Sequence, residues 1–250
     1  MGVFKNPLIK KWLYRYEKRI YEQSEQIIAL STGMTDWVKE VVPRKAVHTI
    51  PNMADCDFFD KEKKDPKLMR FYDTKQPFVI TYFGSIGQTN HLEFMLDIAA
   101  LAQEKNLNIG FKIVGQGSRY SFIKNMIGQR KLRNTSLIGH QNKEGVLRIL
   151  NVTDATYVSF KDIPVLGTNS PNKLFDSLAS GKLTIVNTKG WTKELVEENQ
   201  CGFYANPHHP EDFIRQLSPF LEEETLLERY KTNAREIAMK VYSKKRQIEK

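Results

Sequence analysis

From residue 78 to residue 204, short apolar runs alternate with stretches of helical spacing, and that alternation limits what the chain can fold into. Phe78–Phe83 (FVITYF) is a β-branched and aromatic run, and apolar residues at helical spacing follow over 91–102. Ile109–Val114 (IGFKIV) comes next, then a polar helical stretch over 118–129. Thr135–Ile138 reads as a short strand, followed by a helix over Lys143–Leu150. Ala155–Val158 leads through a loop to a helix over 171–180. A strand over 183–187, a helix over 192–198 and a final strand at Gly202–Tyr204 complete the series. Strands that alternate with helices must run parallel, because each crossover returns the chain to the same end of the sheet. The expected fold is α/β: a doubly wound, mostly parallel, Rossmann-like sheet with helices on both faces, spanning 76–222.

The first 75 residues follow another pattern. Leu8, Trp12, Leu13, Tyr16 and Ile20 form an apolar stripe in a basic helix. Strand candidates at 27–30 and 47–50 flank a helix over 35–42 that Pro43 ends. Two short strands cannot make a stable sheet alone, so 1–52 reads as the closing fragment of another α/β domain. Residues 53–75 read as a linker with a solvated loop at 60–65, and 223–250 as one long polar helix.

Charge and cysteine use exclude several functional classes. Of a net +9, the first 20 residues contribute six Lys/Arg against one Glu, and the last 20 seven against two. The body between them is close to neutral, unlike a nucleic-acid binder, whose charge lies on the folded surface. An anionic lipid surface touching residues 1–20 fits better, as does a second protein domain covering the stripe. Cys56 and Cys201 build neither a disulfide framework nor a zinc quartet, and no cluster has metal-ligand spacing. The expectation is a cytoplasmic protein, peripheral at the inner membrane face if the basic helix meets lipid, with no metal and no cofactor.

In open parallel sheets, ligands bind beyond the carboxyl ends of the strands. Gly84-Ser85-Ile86-Gly87 follows the first strand and invites phosphate at its backbone amides. Gly115-Gln116-Gly117 lacks the third glycine of a dinucleotide fingerprint, Tyr120 standing there, so NAD and FAD are excluded. The segment 168–182 (TNSPNKLFDSLASGK) says most. Ser170 is a fitting N-cap and Pro171 a fitting first helical residue. Leu174, Phe175 and Leu178 would face the core, with Lys173 and Asp176 on the opposite side. A lysine in the first turn adds full charge to the positive end of the helix, which is an anion site. A carboxylate one turn on can accept the two vicinal hydroxyls of a ribose.

IIALSTGM (27–34), IPN (50–52), YFGSIG (82–87), FKIVGQG (111–117), SPNKLFDSLASGK (170–182) and ELVEENQCGFYANP (194–207) carry a family resemblance. The chain resembles the donor-binding, C-terminal half of family 4 retaining glycosyltransferases of the GT-B fold. It is most similar to bacterial capsule and O-antigen enzymes that use UDP-N-acetyl-deoxyhexosamines. The resemblance implies that Gly84, Ser85, Ile86, Gly87, Ser170, Asn172 and Lys173 hold the donor diphosphate. It implies that Gly139, His140, Leu174 and Asp176 surround the nucleoside, and that His91, Thr168 and Asn169 lie near the sugar. Two departures stand out. Thr168 replaces the first glutamate of the family's Glu-x7-Glu pair, and Ser85 and Gln88 replace the cation common in the first glycine loop.

The implied activity is transfer of a sugar from a UDP-sugar to a saccharide or lipid-linked saccharide acceptor in surface-polysaccharide synthesis. Acceptor binding and part of catalysis would belong to a missing N-terminal domain or a partner chain. Two other readings stay open: a non-catalytic nucleotide-sugar-binding subunit, and a nucleotide-sugar epimerase of the same fold. His91 fits either a sugar contact or a solvated first-turn residue, and His208-His209 fits loop surface.

Overall fold

The computed structural model describes residues 6–60 and 64–248. Parts of the basic N-terminal stretch (1–5) and of the solvated loop (61–63) lie outside the described residues.

The chain opens with α1 (Pro7–Gln23), β1 (Ile27–Ala29), α2 (Thr32–Val41), β2 (Val47–Thr49) and a short α3 (Pro66–Phe71). The main series is β3 (Phe78–Phe83), α4 (Leu92–Glu104), β4 (Ile109–Val114), α5 (Tyr120–Gln129), β5 (Thr135–Ile138), α6 (Lys143–Leu150) and β6 (Ala155–Val158). It continues through α7 (Pro164–Gly167), α8 (Asn172–Ala179), β7 (Leu183–Val186), α9 (Trp191–Glu198) and β8 (Gly202–Tyr204). Last come α10 (Pro210–Glu222), α11 (Glu224–Ile237) and α12 (Lys244–Ile248).

Six strands make one parallel sheet in the order β5-β4-β3-β6-β7-β8. This is the doubly wound order, in which the chain leaves β3 toward one edge and restarts at β6 toward the other. β3, β4, β6 and β7 are buried along their whole length, which is why they read as continuous apolar runs rather than alternating ones. One face is covered by α4 and α10 through Phe94, Leu96, Ile98, Phe213 and Leu217. The other is covered by α6, α8 and α11 through Ile149, Leu150, Phe175, Leu178 and Ala234.

β1 and β2 pair with each other in parallel and stay apart from the larger sheet. α1 buries none of its residues: Leu8 is 74% exposed and Trp12 63%.

Two expectations need correction. The segment 223–250 is not one helix: α11 stops at Ile237, a π-turn spans Ala238–Tyr242, and α12 restarts at Lys244. Nor is 53–75 a loose linker, since Ala54 and Phe59 are fully buried and Ala54 N donates to Tyr242 O at 2.7 Å. The Arg235 guanidinium joins these parts, donating to the carbonyls of Cys56, Phe59 and Ala179. It thereby also caps the negative end of α8.

Candidate functional site

The two halves of the sheet part between β3 and β6, and the loops beyond those two strands form a crevice. Backbone bonds stitch its sides together, Lys161 N donating to Thr89 O at 2.8 Å. On the β3 side, Gly84 adopts φ +132° and Gly115 φ +144°, a region open to glycine. Their backbones are so close that a Cβ on Gly115 would lie 1.9 Å from Gly84 O. On the β6 side, Asn187 holds Phe160 by two hydrogen bonds of 2.8 Å, to its N–H and to its carbonyl.

α8 begins at this crevice, and its start differs from the sequence expectation. Ser170 is not the N-cap and Pro171 is not the first helical residue: the cap is Pro171, and the helix starts at Asn172 with no side-chain cap. Ser170 is occupied elsewhere, its carbonyl accepting from Asn52 Nδ2 at 2.6 Å and its Oγ facing Asn52 N at 3.4 Å. Without a side-chain cap, the positive end of α8 keeps donors for a ligand.

Lys173 reaches from this helix across the first glycine loop. Its Nζ lies 3.0 Å from the Tyr82 hydroxyl, 4.4 Å from the Tyr82 ring centre and 4.9 Å from that of Phe160. A Cβ on Gly84 would lie 3.2 Å from Lys173 Cε. Among the described residues no carboxylate offsets this charge, and burial pulls the ammonium down to about 7. Tyr82 passes the contact on, its hydroxyl donating to Ser85 O at 2.5 Å. The crevice therefore holds a cation against aromatic faces, with no counter-anion among the described residues.

Asp176 is half-buried on the same helix. Burial lifts its carboxyl to about 6, with the Lys143 charge opposing the rise and Asp55 adding to it. Lys143 opens α6, just past Gly139 and His140, so Asp176 lies on the side of the end of β5. His140 is exposed, and a Cβ on Gly139 would meet nothing within 4 Å.

Other expected site residues divide. The turn amides of Gly84, Ile86 and Gly87 donate to Val114 O, Gln116 O and Asn90 Oδ1, bonds that set the shape of the loop. Leu174 is fully buried in the core and offers no surface to a nucleoside. Asn172 is exposed at the start of α8. His91 sits at φ +46° with its carbonyl near Ser159 Oγ (3.4 Å) and its buried Nδ1 unpartnered. Thr168 O accepts from Ser31 Oγ, and the buried Asn169 Oδ1 has no partner. Tyr82 and Phe160 were missed, because inside apolar runs both read as core. Position is the one signal available for them: each stands within two residues of a strand's carboxyl end.

Residues 65–237 match the family model described as glycosyl transferases group 1. Among curated relatives, an alpha-D-kanosaminyltransferase of Streptomyces kanamyceticus is 19% identical over 242 residues, 94% of this chain and 60% of its own. The putative colanic acid biosynthesis glycosyl transferase WcaI of Escherichia coli K12 is 29% identical over 168 residues, 66% of this chain and 40% of its own. Among solved structures, HepE of Anabaena in complex with UDP-glucose superposes with TM-score 0.77 at 16% identity, over 95% of this chain and 66% of that one. TarM superposes with TM-score 0.73 at 16% identity, over 94% and 44%. These neighbours share the GT-B fold, and the chain spans 60% or less of the two curated relatives. None of the described helices is long and apolar enough to cross a membrane. With the family model covering well over half of its length, the chain belongs to the glycosyl transferases group 1 family.

Proposed function

We propose that this chain binds the UDP-sugar donor in a family 4 retaining glycosyltransferase of bacterial surface-polysaccharide synthesis. The observation that carries this is Lys173: an ammonium with no carboxylate partner among the described residues, beside an uncapped helix start, in the crevice where β3 and β6 part. A diphosphate supplies the missing anion, and Asp176 stands one helical turn on for the ribose. In transfer, negative charge builds on the leaving diphosphate, and a donor already in place lowers that barrier without reorganising. Lys173 and the α8 dipole would do this with no metal. The HepE complex with UDP-glucose supports the donor class, and the likeness to WcaI supports the polysaccharide role.

The acceptor is a saccharide or lipid-linked saccharide, met with a further domain or partner chain beside the small β1–β2 sheet. The exposed stripe of α1, interleaved with Lys10, Lys11, Arg15 and Lys18, supports contact with an anionic membrane surface on the cytoplasmic side. Titration calorimetry with UDP, UDP-sugars and other nucleoside diphosphates tests the donor assignment. UDP binding that Lys173→Ala abolishes or weakens supports it, and UDP binding indifferent to that change removes Lys173 from the site.

A further inference from the structure

At the opposite end of the sheet from the Lys173 crevice, three lysines converge where β3, β6 and β7 begin. Asp154 stands just before β6 and Lys182 just before β7. Leu183 N donates to Asp154 O at 3.1 Å, and the register of the two strands puts both side chains on one face of the sheet. Asp154 is buried and engaged. Its Oδ2 accepts from Val79 N at 2.8 Å and from Lys64 Nζ at 2.5 Å, and its Oδ1 lies 3.5 Å from Lys231 Nζ on α11. Lys64 Nζ also donates to Pro77 O at 2.6 Å, and Lys231 Nζ lies 3.0 Å from Glu228 Oε1.

Lys182 is left over. It is 4% exposed, and its ammonium has neither a hydrogen bond nor an ion pair among the described residues. Lys231 and Lys64 repel it, while Asp154 and Glu228 attract it. Burial first, and then the charge of Lys231, pull its ammonium from 10.5 down to about 7. Three lysines face two carboxylates, so the fully protonated cluster carries one positive charge in excess. An unpaired buried ammonium is costly, and it is relieved either by losing its proton or by gaining an anion. Exposure rises outward from it, from 12% for the Lys231 side chain to 26% for Lys64 and 47% for Glu228. The cluster therefore opens to the surface between α11 and the residues that precede α3.

We propose that Lys182, Lys231 and Lys64 form a second anion site, which takes one phosphate-sized oxyanion at the amino end of the sheet. The excess charge repels a metal ion. A tetrahedral oxyanion suits the donors, because three separate ammoniums can each point at a different oxygen and one added negative charge completes the balance. Asp154 and Glu228 do not forbid it, since each already has a lysine of its own. The negative end of α8 also lies on this side, and the Arg235 guanidinium on Ala179 O offsets it. The segment that opens at the donor crevice with Lys173 thus ends here with Lys182, and α8 runs between the two sites.

The test is phosphorus NMR and calorimetry with inorganic phosphate on the full chain carrying Lys173→Met, so that the donor crevice has lost its own charge. At pH 6 one phosphate is expected to bind with a Kd on the order of 1 mM. Lys182→Met weakens it at least about tenfold, one tenfold step being ~1.4 kcal/mol. Glu228→Gln removes a repelling charge from the exposed rim and tightens it by about threefold, within the range of exposed charge pairs. From pH 6 to pH 9 phosphate gains negative charge, yet binding weakens about tenfold because Lys182 gives up its proton. Absence of phosphate binding at pH 6 overturns the site, as does binding indifferent to Lys182→Met or binding that tightens at pH 9. Should Lys182→Met fail to fold, Glu228→Gln decides alone: tighter binding supports the site, and unchanged or weaker binding overturns it. The donor reading is tested apart, by UDP on the chain with Lys173 intact, and its failure would leave this second site standing.

Discussion

Lys173 Nζ donates to the Tyr82 hydroxyl at 3.0 Å while lying 4.4 Å from the centre of the same ring. Hydrogen bond and π-face together hold an ammonium that has no counter-charge among the described residues, an arrangement that costs stability. Lys173→Ala should weaken UDP by about 1.5–3 kcal/mol, the range for a charge-assisted bond. Lys173→Met, which keeps the stem and removes the charge, should bind equally poorly yet unfold at higher urea concentration at pH 7. The gain should be on the order of 1 kcal/mol. Calorimetry and urea titration measure the two effects, and a less stable Lys173→Met would contradict an uncompensated charge.

The same lysine sets a pH dependence. In the folded chain its ammonium titrates near about 7, below its ordinary value of 10.5. Between those values the unfolded chain holds the proton and the folded chain does not, so this group makes stability rise with pH across that window. Binding has the opposite sign, because the diphosphate needs the proton. UDP affinity should fall as pH rises above about 7, with proton uptake on binding near pH 8 that Lys173→Met lacks. Calorimetry in buffers of different ionisation enthalpy reads that uptake.

A change at Asp176 tests the nucleoside contact apart from the phosphate contact. Asp176→Ala should weaken uridine nucleotides by about 1.5–3 kcal/mol, as expected for hydrogen bonds to a carboxylate, and leave inorganic pyrophosphate nearly unchanged. Equal losses for both ligands would show that the carboxylate acts through helix α8 and not through a ribose.

Gly115 supports the glycine loop by having no side chain. Gly115→Ala should cost about 2–4 kcal/mol in stability, since a Cβ there would lie 1.9 Å from Gly84 O at φ +144°. Gly128→Ala, in α5 with nothing within 4 Å of a Cβ, should instead stabilise by about 0.5–1 kcal/mol. Thermal or urea unfolding of the pair checks the contrast.

Arg235 holds three backbone carbonyls, those of Cys56, Phe59 and Ala179. Arg235→Ala should destabilise by about 2–4 kcal/mol, because buried acceptors lose their partner. Hydrogen exchange should show the loss around residues 54–60 and at the end of α8. Loss confined to α11 would contradict a clamp between the segments.

The strands of the main sheet were legible in the sequence with little error, because burial on both faces demands uninterrupted apolar runs between glycine and proline breaks. Helix α8 was legible for a similar reason, as apolar residues at helical spacing are a local property. Strand order was not local. Only the folded sheet places β6 beside β3, and that neighbourhood brings Tyr82, 91 residues away in sequence, to Lys173 and sets Phe160 beside them. The cap of α8 depended equally on distance, since Ser170 fits the local rule but bonds Asn52 of the N-terminal segment instead. Arg235 carried no local signal at all. Composition and periodicity determined the α/β layers and helix α8, whereas the tertiary structure alone decided which side chains meet, because those contacts join segments whose separation in sequence says nothing of their distance in space.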